Sequence, residues 1–301
     1  MKPSALFPLA LMALALCGCQ RPMAAEVVYD ADQVEAVRTA LNQEGAGGGG
    51  GEAVRAEPTG WASIHGAFRI DGTPPPRRPA AVQGDDTSYC APGGNVPLSE
   101  EVVVGSDGGI RDVLVFLDTA IPDDPQWINP ERYDADKAAE VLFDQKQCMF
   151  LTHVMAMRST QTLKIANSDD VGHNTKIEPR DDAKAFNQII APGRTAMHEI
   201  GGPERQPMPV VCSIHPWMRA YLITRDSPYF DVTDESGQFR IEDVPAGVEL
   251  EFRVWQEKAN FIQSVTVNGE EQRWRRGRFT LTLDPGQVYE MEVVVSASLF
   301  Q

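Results

Sequence analysis

From residue 61 onward the apolar positions follow a period of two rather than 3.6. Ala62-Ser63-Ile64-His65-Gly66-Ala67-Phe68-Arg69-Ile70 alternates and stops at Asp71-Gly72, a turn pair. Residues 102–104, 113–117, 163–166, 189–190 and 210–211 read as further short strands. Residues 118–146 are richer in Pro and acids and predict an insertion with loops, with 135–141 as the one candidate helix after residue 61. Six more strands are expected at 229–233, 238–242, 248–256, 261–267, 278–283 and 288–296. The turns between them include Glu235-Ser236-Gly237, Pro245-Ala246-Gly247, Asn268-Gly269 and Asp284-Pro285-Gly286. The pattern predicts an all-β protein, with a β-sandwich over its last third.

The first sixty residues differ in texture. Lys2 precedes an apolar run over residues 5–16, too short to span a bilayer, which ends in Leu16-Cys17-Gly18-Cys19. That ending resembles a bacterial lipobox. The resemblance implies a leader over 1–18 and a lipid on Cys19; plain secretion with cleavage near Ala24-Ala25 is the alternative. Either way the mature chain faces an oxidising compartment, and an exported, membrane-anchored lipoprotein facing the periplasm or cell surface is expected. Residues 19–60 read as a tether. A short helix over 30–43, with Val34, Val37 and Leu41 on one face and Asp32 as its cap, precedes the flexible run Gly45-Ala46-Gly47-Gly48-Gly49-Gly50-Gly51.

Composition narrows the function classes. A chain of 301 residues has room for two domains, and 42% apolar with 23% charged residues is ordinary for a globular protein. With 27 Lys+Arg against 43 Asp+Glu the formal charge is −16, which argues against a nucleic-acid partner and suits a basic protein partner. There is no Ser-His-Asp pattern, phosphate loop or HExxH zinc motif, so no enzyme is expected.

The chemistry concentrates in Cys212-Ser213-Ile214-His215-Pro216-Trp217-Met218. A thiolate, an imidazole and a thioether within seven residues select copper, and His₂Cys sites with a weak axial Met transfer electrons. The second His is supplied by Asn167-Ser168-Asp169-Asp170-Val171-Gly172-His173-Asn174, which follows the strand at 163–166. Together these segments resemble the cupredoxins, with Cys-x₂-His-x₂-Met in the short, amicyanin-like form; residues 147–174 also look like secreted bacterial proteins labelled methylamine-utilisation-like. The resemblance is loose over residues 61–225 and tight at 165–174 and 210–223. It implies one type 1 copper held by His173, Cys212 and His215 in a plane, with Met218 axial. It implies that Asn174 steadies the Cys212 loop and that electrons leave by an exposed His215 edge framed by Pro216 and Trp217. Trp217 could belong to a docking patch or pack over the metal. Redox partners such as a c-type cytochrome or a dehydrogenase follow from the same resemblance.

The remaining donors rank lower. His153 reads as structural, with an extra ligand or proton site as the alternative; His65 and His198 read as surface or structural, Met208 as a less favoured axial donor, and Asp169-Asp170 as a polar turn. With Cys17 removed, Cys19 lipidated and Cys212 on the metal, Cys90 and Cys148 are left to form a disulfide.

Residues 229–241, Val244-Pro245-Ala246-Gly247 and Arg253-Val254-Trp255 resemble the carboxypeptidase-regulatory-like, transthyretin-like sandwich, a structural and interaction module. Arg273-Trp274-Arg275-Arg276-Gly277-Arg278 is a basic island, either a solvated hairpin tip or a contact for an acidic partner or lipid headgroups. The expected layout is a leader at 1–18, a tether at 19–60, a cupredoxin at 61–225 and the second sandwich at 226–301. An anchored blue-copper electron carrier is the leading reading. A copper-handling or small-molecule-binding cupredoxin, or an adhesive protein with a non-redox loop, are the alternatives.

Overall fold

The structure, a computed structural model, describes residues 56–301. The expected leader, the lipid-bearing Cys19, the helix at 30–43 and the glycine run lie outside the described residues. Nineteen strands follow in chain order. The first nine are β1 (Gly60–Asp71), β2 (Leu114–Leu117), β3 (Glu140–Lys146), β4 (Met149–Phe150), β5 (Val154–Arg158), β6 (Thr162–Asn167), β7 (His173–Ile177), β8 (Phe186–Ile190) and β9 (Thr195–Glu199). The rest are β10 (Met208–Val211), β11 (Arg219–Arg225), β12 (Phe230–Val232), β13 (Gln238–Ala246), β14 (Glu249–Gln256), β15 (Asn260–Phe261), β16 (Ser264–Val267), β17 (Glu270–Arg273), β18 (Arg278–Thr282) and β19 (Val288–Ser296). The described residues are therefore nearly all β, as the alternation predicts. Among the described residues no helix is long and apolar enough to cross a membrane.

Four sheets form two face-to-face pairs. Sheets ordered β5-β11-β10-β7-β8 and β4-β3-β6-β9 enclose one core, which includes Phe143, Phe150, Met157, Leu163, Ile165, Val210 and Leu222. Sheets ordered β13-β1-β19-β16-β17 and β12-β2-β14-β15, with β18 also on β14, enclose another around Ile64, Phe68, Val115, Phe252, Val254 and Val293. β1 lies antiparallel to β13 and parallel to β19. β2 lies between β12 and β14. These pairings correct the expected boundaries. The strand at 60–71 belongs with the strands after residue 226, and so does 114–117. The metal-ligand segments are thus inserted between early and late strands of the other sandwich.

The uninterrupted apolar run at 113–117 has its reason here. Val113, Val115 and Leu117 face the core of their own sandwich, while Leu114 and Phe116 pack with Trp255 against Val154 and Ile223 of β5 and β11. A strand buried on both faces has no polar face to alternate. Residues 135–141 form no helix: turns lead into β3, which runs parallel to β6, while the only helical turn nearby is Pro130–Tyr133, capped by the Asn129 side chain. Of the basic island, Arg273, Arg275 and Arg276 are exposed, Trp274 is buried, and Arg278 pairs with Asp118 and Glu251.

Candidate metal centre

Strand pairing carries His173 to Cys212. β7 and β10 are antiparallel neighbours, with Val211 opposite Lys176, so the chain leaving β10 at Cys212 runs toward the end of β7 that begins with His173. Residues 212–218 connect β10 to β11, whose pairing places Val211 opposite Arg219. The Cys212 N–H donates to Met218 O (3.2 Å) and the Met218 N–H to His215 O (2.9 Å), which curls the loop inward. Before β7, Asn167 builds the preceding turn. Its Nδ2 donates to Val171 O and Ile190 O at 2.8 Å each, and its Oδ1 accepts from the Asp169 N–H at 3.0 Å.

The ligand atoms converge. His173 Nδ1 and His215 Nδ1 lie 2.9 Å apart, Cys212 Sγ is 3.8 Å from His215 Nδ1, and one donor atom from each of the three residues lies within 4.8 Å of the others. All three side chains are buried, as is Met218. The outer nitrogens fix the tautomers. His173 Nε2 meets Asp169 Oδ2 at 2.7 Å, and His215 Nε2 meets Asp86 Oδ2 at 3.1 Å. An ionised carboxylate only accepts, so each Nε2 must carry the proton and each Nδ1 a lone pair. Two imidazole lone pairs and a sulfur then face one another. A soft or borderline cation is the group that satisfies such a donor set, so the residues fit copper.

Electrostatics reinforce the arrangement. Burial holds the His173 pKa below its ordinary value against the pull of Asp169, so the imidazole stays neutral and able to ligate. Burial alone would raise the Asp169 carboxyl. The Cys148 N–H (2.8 Å), His173 and the Gln147 N–H (2.6 Å) together bring it below its usual range. Asn174 takes the role that the resemblance implies. Its backbone N–H donates to Cys212 Sγ at 3.3 Å, and its Oδ1 accepts from the Ser213 N–H at 3.1 Å. Its Nδ2 is held by Asn187 Oδ1 and Gln188 O, which fixes the amide's direction. The His215 N–H also points at Sγ, at 3.4 Å.

Two expectations need correction. His215 does not present an exposed edge: it is 2% exposed, with Asp86 across its outer nitrogen. The reason is the segment around a single helical turn, Thr87–Cys90, which the Cys90–Cys148 disulfide ties to the centre. Tyr89 Oη on the same segment donates to Asp169 Oδ1 at 3.1 Å. Second, Asp169 lies in a bend, in keeping with a polar turn, but its side chain is a buried acceptor for His173. Its spacing of four residues before His173 was visible in the sequence. Asp86 carried no local signal, standing 129 residues from its partner. Pro216 is exposed, while half-buried Trp217 packs its ring 5.0 Å from His215 and donates from Nε1 to Cys148 O.

The other histidines stay apart from this cluster. His65 pairs with Glu242, and His198 Nε2 contacts Lys184 O. Met208 is buried within β10. His153 is buried and joins the sandwiches: its Nε2 meets Glu257 at 2.6 Å, Nδ1 faces Glu100 at 3.8 Å, and Tyr221 donates to Glu257 at 3.1 Å. Burial opposes its protonation, but the bond to Glu257 and the charges of Glu257, Asp112 and Glu100 raise its pKa above 6.5. A raised pKa in the folded state stabilises fully below the unfolded value, and the gain fades as pH rises through the folded one. Urea midpoints of the wild type should therefore fall relative to His153→Gln as pH climbs from about 6.5. Parallel pH curves for the two proteins would refute this ion-pair role.

No protein-family model matches the chain, and no curated protein matches it. Among solved structures it is similar to a Cu-containing nitrite reductase (NirK) from Thermus scotoductus SA-01, at 16% identity and a TM-score of 0.26, over 29% of this chain and 22% of that one. The chain thus spans about a fifth of that reductase. It is also similar to amicyanin from Paracoccus versutus (Thiobacillus versutus), at 14% identity and a TM-score of 0.25, over 37% of this chain and 97% of that one. The reductase is Cu-containing by its description, and each of the two neighbours matches a minority of this chain.

Proposed function

We propose that the chain is a blue-copper electron-transfer protein with one mononuclear type 1 site, exported and lipid-anchored, and without substrate turnover of its own. The observation that carries this reading is the convergence of two Nδ1 lone pairs and the Cys212 sulfur in a buried pocket, each imidazole held from behind by a carboxylate. Copper bound there would supply a one-electron Cu(II)/Cu(I) couple. The protein's part is to hold His173, Cys212 and His215 on a stiff sheet edge and to exclude water. Met218 is the proposed fourth donor. Two N–H groups aimed at the sulfur, from Asn174 and His215, draw charge from it and tune the potential. A periplasmic cytochrome or dehydrogenase with a basic face would be the partner, in keeping with the net charge of −16. The second sandwich is proposed to be a transthyretin-like interaction module.

The test is the visible spectrum of the full chain with Cu(II). An intense thiolate-to-copper band, lost in Cys212→Ser while the fold survives, is the expected outcome; a pale complex in the wild type would end this reading. The buried His215 edge favours the second reading, a copper-holding protein. Repeated reduction and reoxidation separates the two, because a carrier cycles without releasing metal.

A further inference from the structure

The segment over His215 has not been assigned a task by the metal reading, on which this inference rests. It touches the His215 imidazole directly and reaches His173 through Asp169. Asp86 Oδ2 lies 3.1 Å from His215 Nε2, and Tyr89 Oη lies 3.1 Å from Asp169 Oδ1, whose other oxygen holds His173. The Cys90–Cys148 disulfide joins it to the β3–β4 turn, and Tyr89 Oη also accepts from the Asp170 N–H at 3.1 Å; Cys148 O is itself held by Trp217 Nε1. The Cys148 N–H in turn donates to Asp169. One covalently closed unit therefore supports the outer side of both histidines. Asp86 itself is partly exposed, at 35%, while the imidazole beneath it is not.

We propose that Asp86 is a positioning residue for the metal centre: it fixes His215 with Nδ1 turned inward and closes the imidazole edge to solvent. Without Asp86, Nε2 has no other acceptor among its contacts here, and the ring can take the opposite tautomer or turn. A carboxylate behind a ligating imidazole also raises its basicity and holds the metal against loss. Two consequences follow. The bound ion should exchange slowly with chelators, and an approaching protein should meet the capping segment rather than the imidazole.

The experiment compares wild type with Asp86→Ala, Asp86→Asn and Asp86→Glu, each checked by circular dichroism and free-thiol count for an intact fold and disulfide. Loaded with Cu(II) and challenged with excess EDTA, Asp86→Ala should release metal about 10- to 100-fold faster, with Asp86→Glu restoring retention. Asp86→Asn, which loses the negative charge, should have a higher reduction potential than wild type. Imidazole ¹⁵N shifts of the metal-free protein should report the Nε2–H tautomer of His215 in wild type and a mixture in Asp86→Ala. Equal EDTA rates, potentials and His215 shifts across the series would overturn the assignment. If the wild type gives no thiolate-to-copper band, the electron-carrier reading fails by itself. The metal-free ¹⁵N shifts then still decide Asp86, because an unchanged tautomer in Asp86→Ala would sink its role.

Discussion

Asp169→Ala should destabilise the fold by about 3–5 kcal/mol, because it strips the shared acceptor from a buried hydrogen-bond network. The carboxylate is 3% exposed and accepts from four donors: His173 Nε2, the Gln147 and Cys148 N–H groups, and the Tyr89 hydroxyl. Alanine leaves two buried donors, the Cys148 N–H and His173 Nε2, without this acceptor, each costing about 1–3 kcal/mol. It also frees the His173 ring, so copper affinity should fall by roughly 10- to 100-fold. The pH dependence gives a second signature. Because the folded carboxyl is held below its ordinary 3.8, its stabilisation is complete above that value and drains away as pH falls further. Wild type should therefore show an acid-side loss that Asp169→Ala lacks. Chemical denaturation at pH 7 and at pH 3 measures both effects. A variant within about 1 kcal/mol of wild type at neutral pH would refute the network's weight.

Removal of the disulfide is the second large effect. Cys90 and Cys148 are separated by 58 positions, and closing a loop of that size restricts the unfolded chain by about 4 kcal/mol. Cys90→Ala with Cys148→Ala should lower guanidinium stability by that order. The double variant should also hold copper less firmly, since the segment bearing Asp86 and Tyr89 loses its covalent tie. Unchanged denaturation midpoints with and without reductant in the wild type would show that the crosslink contributes nothing.

Much of the centre could be read from spacing. His173, Cys212 and His215 are brought together where the motif placed them, and Asn174 makes the bonds expected of it. Strands such as β1, β13 and β19 were visible because a half-buried strand must alternate, and the disulfide because two thiols were left over, whereas β3, β9 and β11 were not read as strands. What escaped detection is non-local. Nothing near Asp86 says that it will lie over His215, because the disulfide and the strands choose its neighbour. The division of strands escaped too. β1 and β2 look like the start of the first sandwich in sequence order, yet their hydrogen bonds go to β13, β19 and β14. Backbone pairing at long separation leaves no mark on composition.

That division has a consequence for the order in which the protein matures. β1 emerges first but waits for β19, which starts roughly 200 residues later. At ~5–20 residues per second this is on the order of tens of seconds. All strands of the metal-bearing sandwich, and the cysteines that brace it, are delivered inside that interval. The half destined to hold the ion can thus mature while Trp61, Ile64 and Phe68 still wait for their sheet. A nascent chain stalled between residues 226 and 238 would carry a completed ligand set beside a naked, sticky strand, and one stalled before residue 288 would still leave the β19 edge of β1 open. Its vulnerability to aggregation during biogenesis therefore lies in β1, far in sequence from any residue of the metal site.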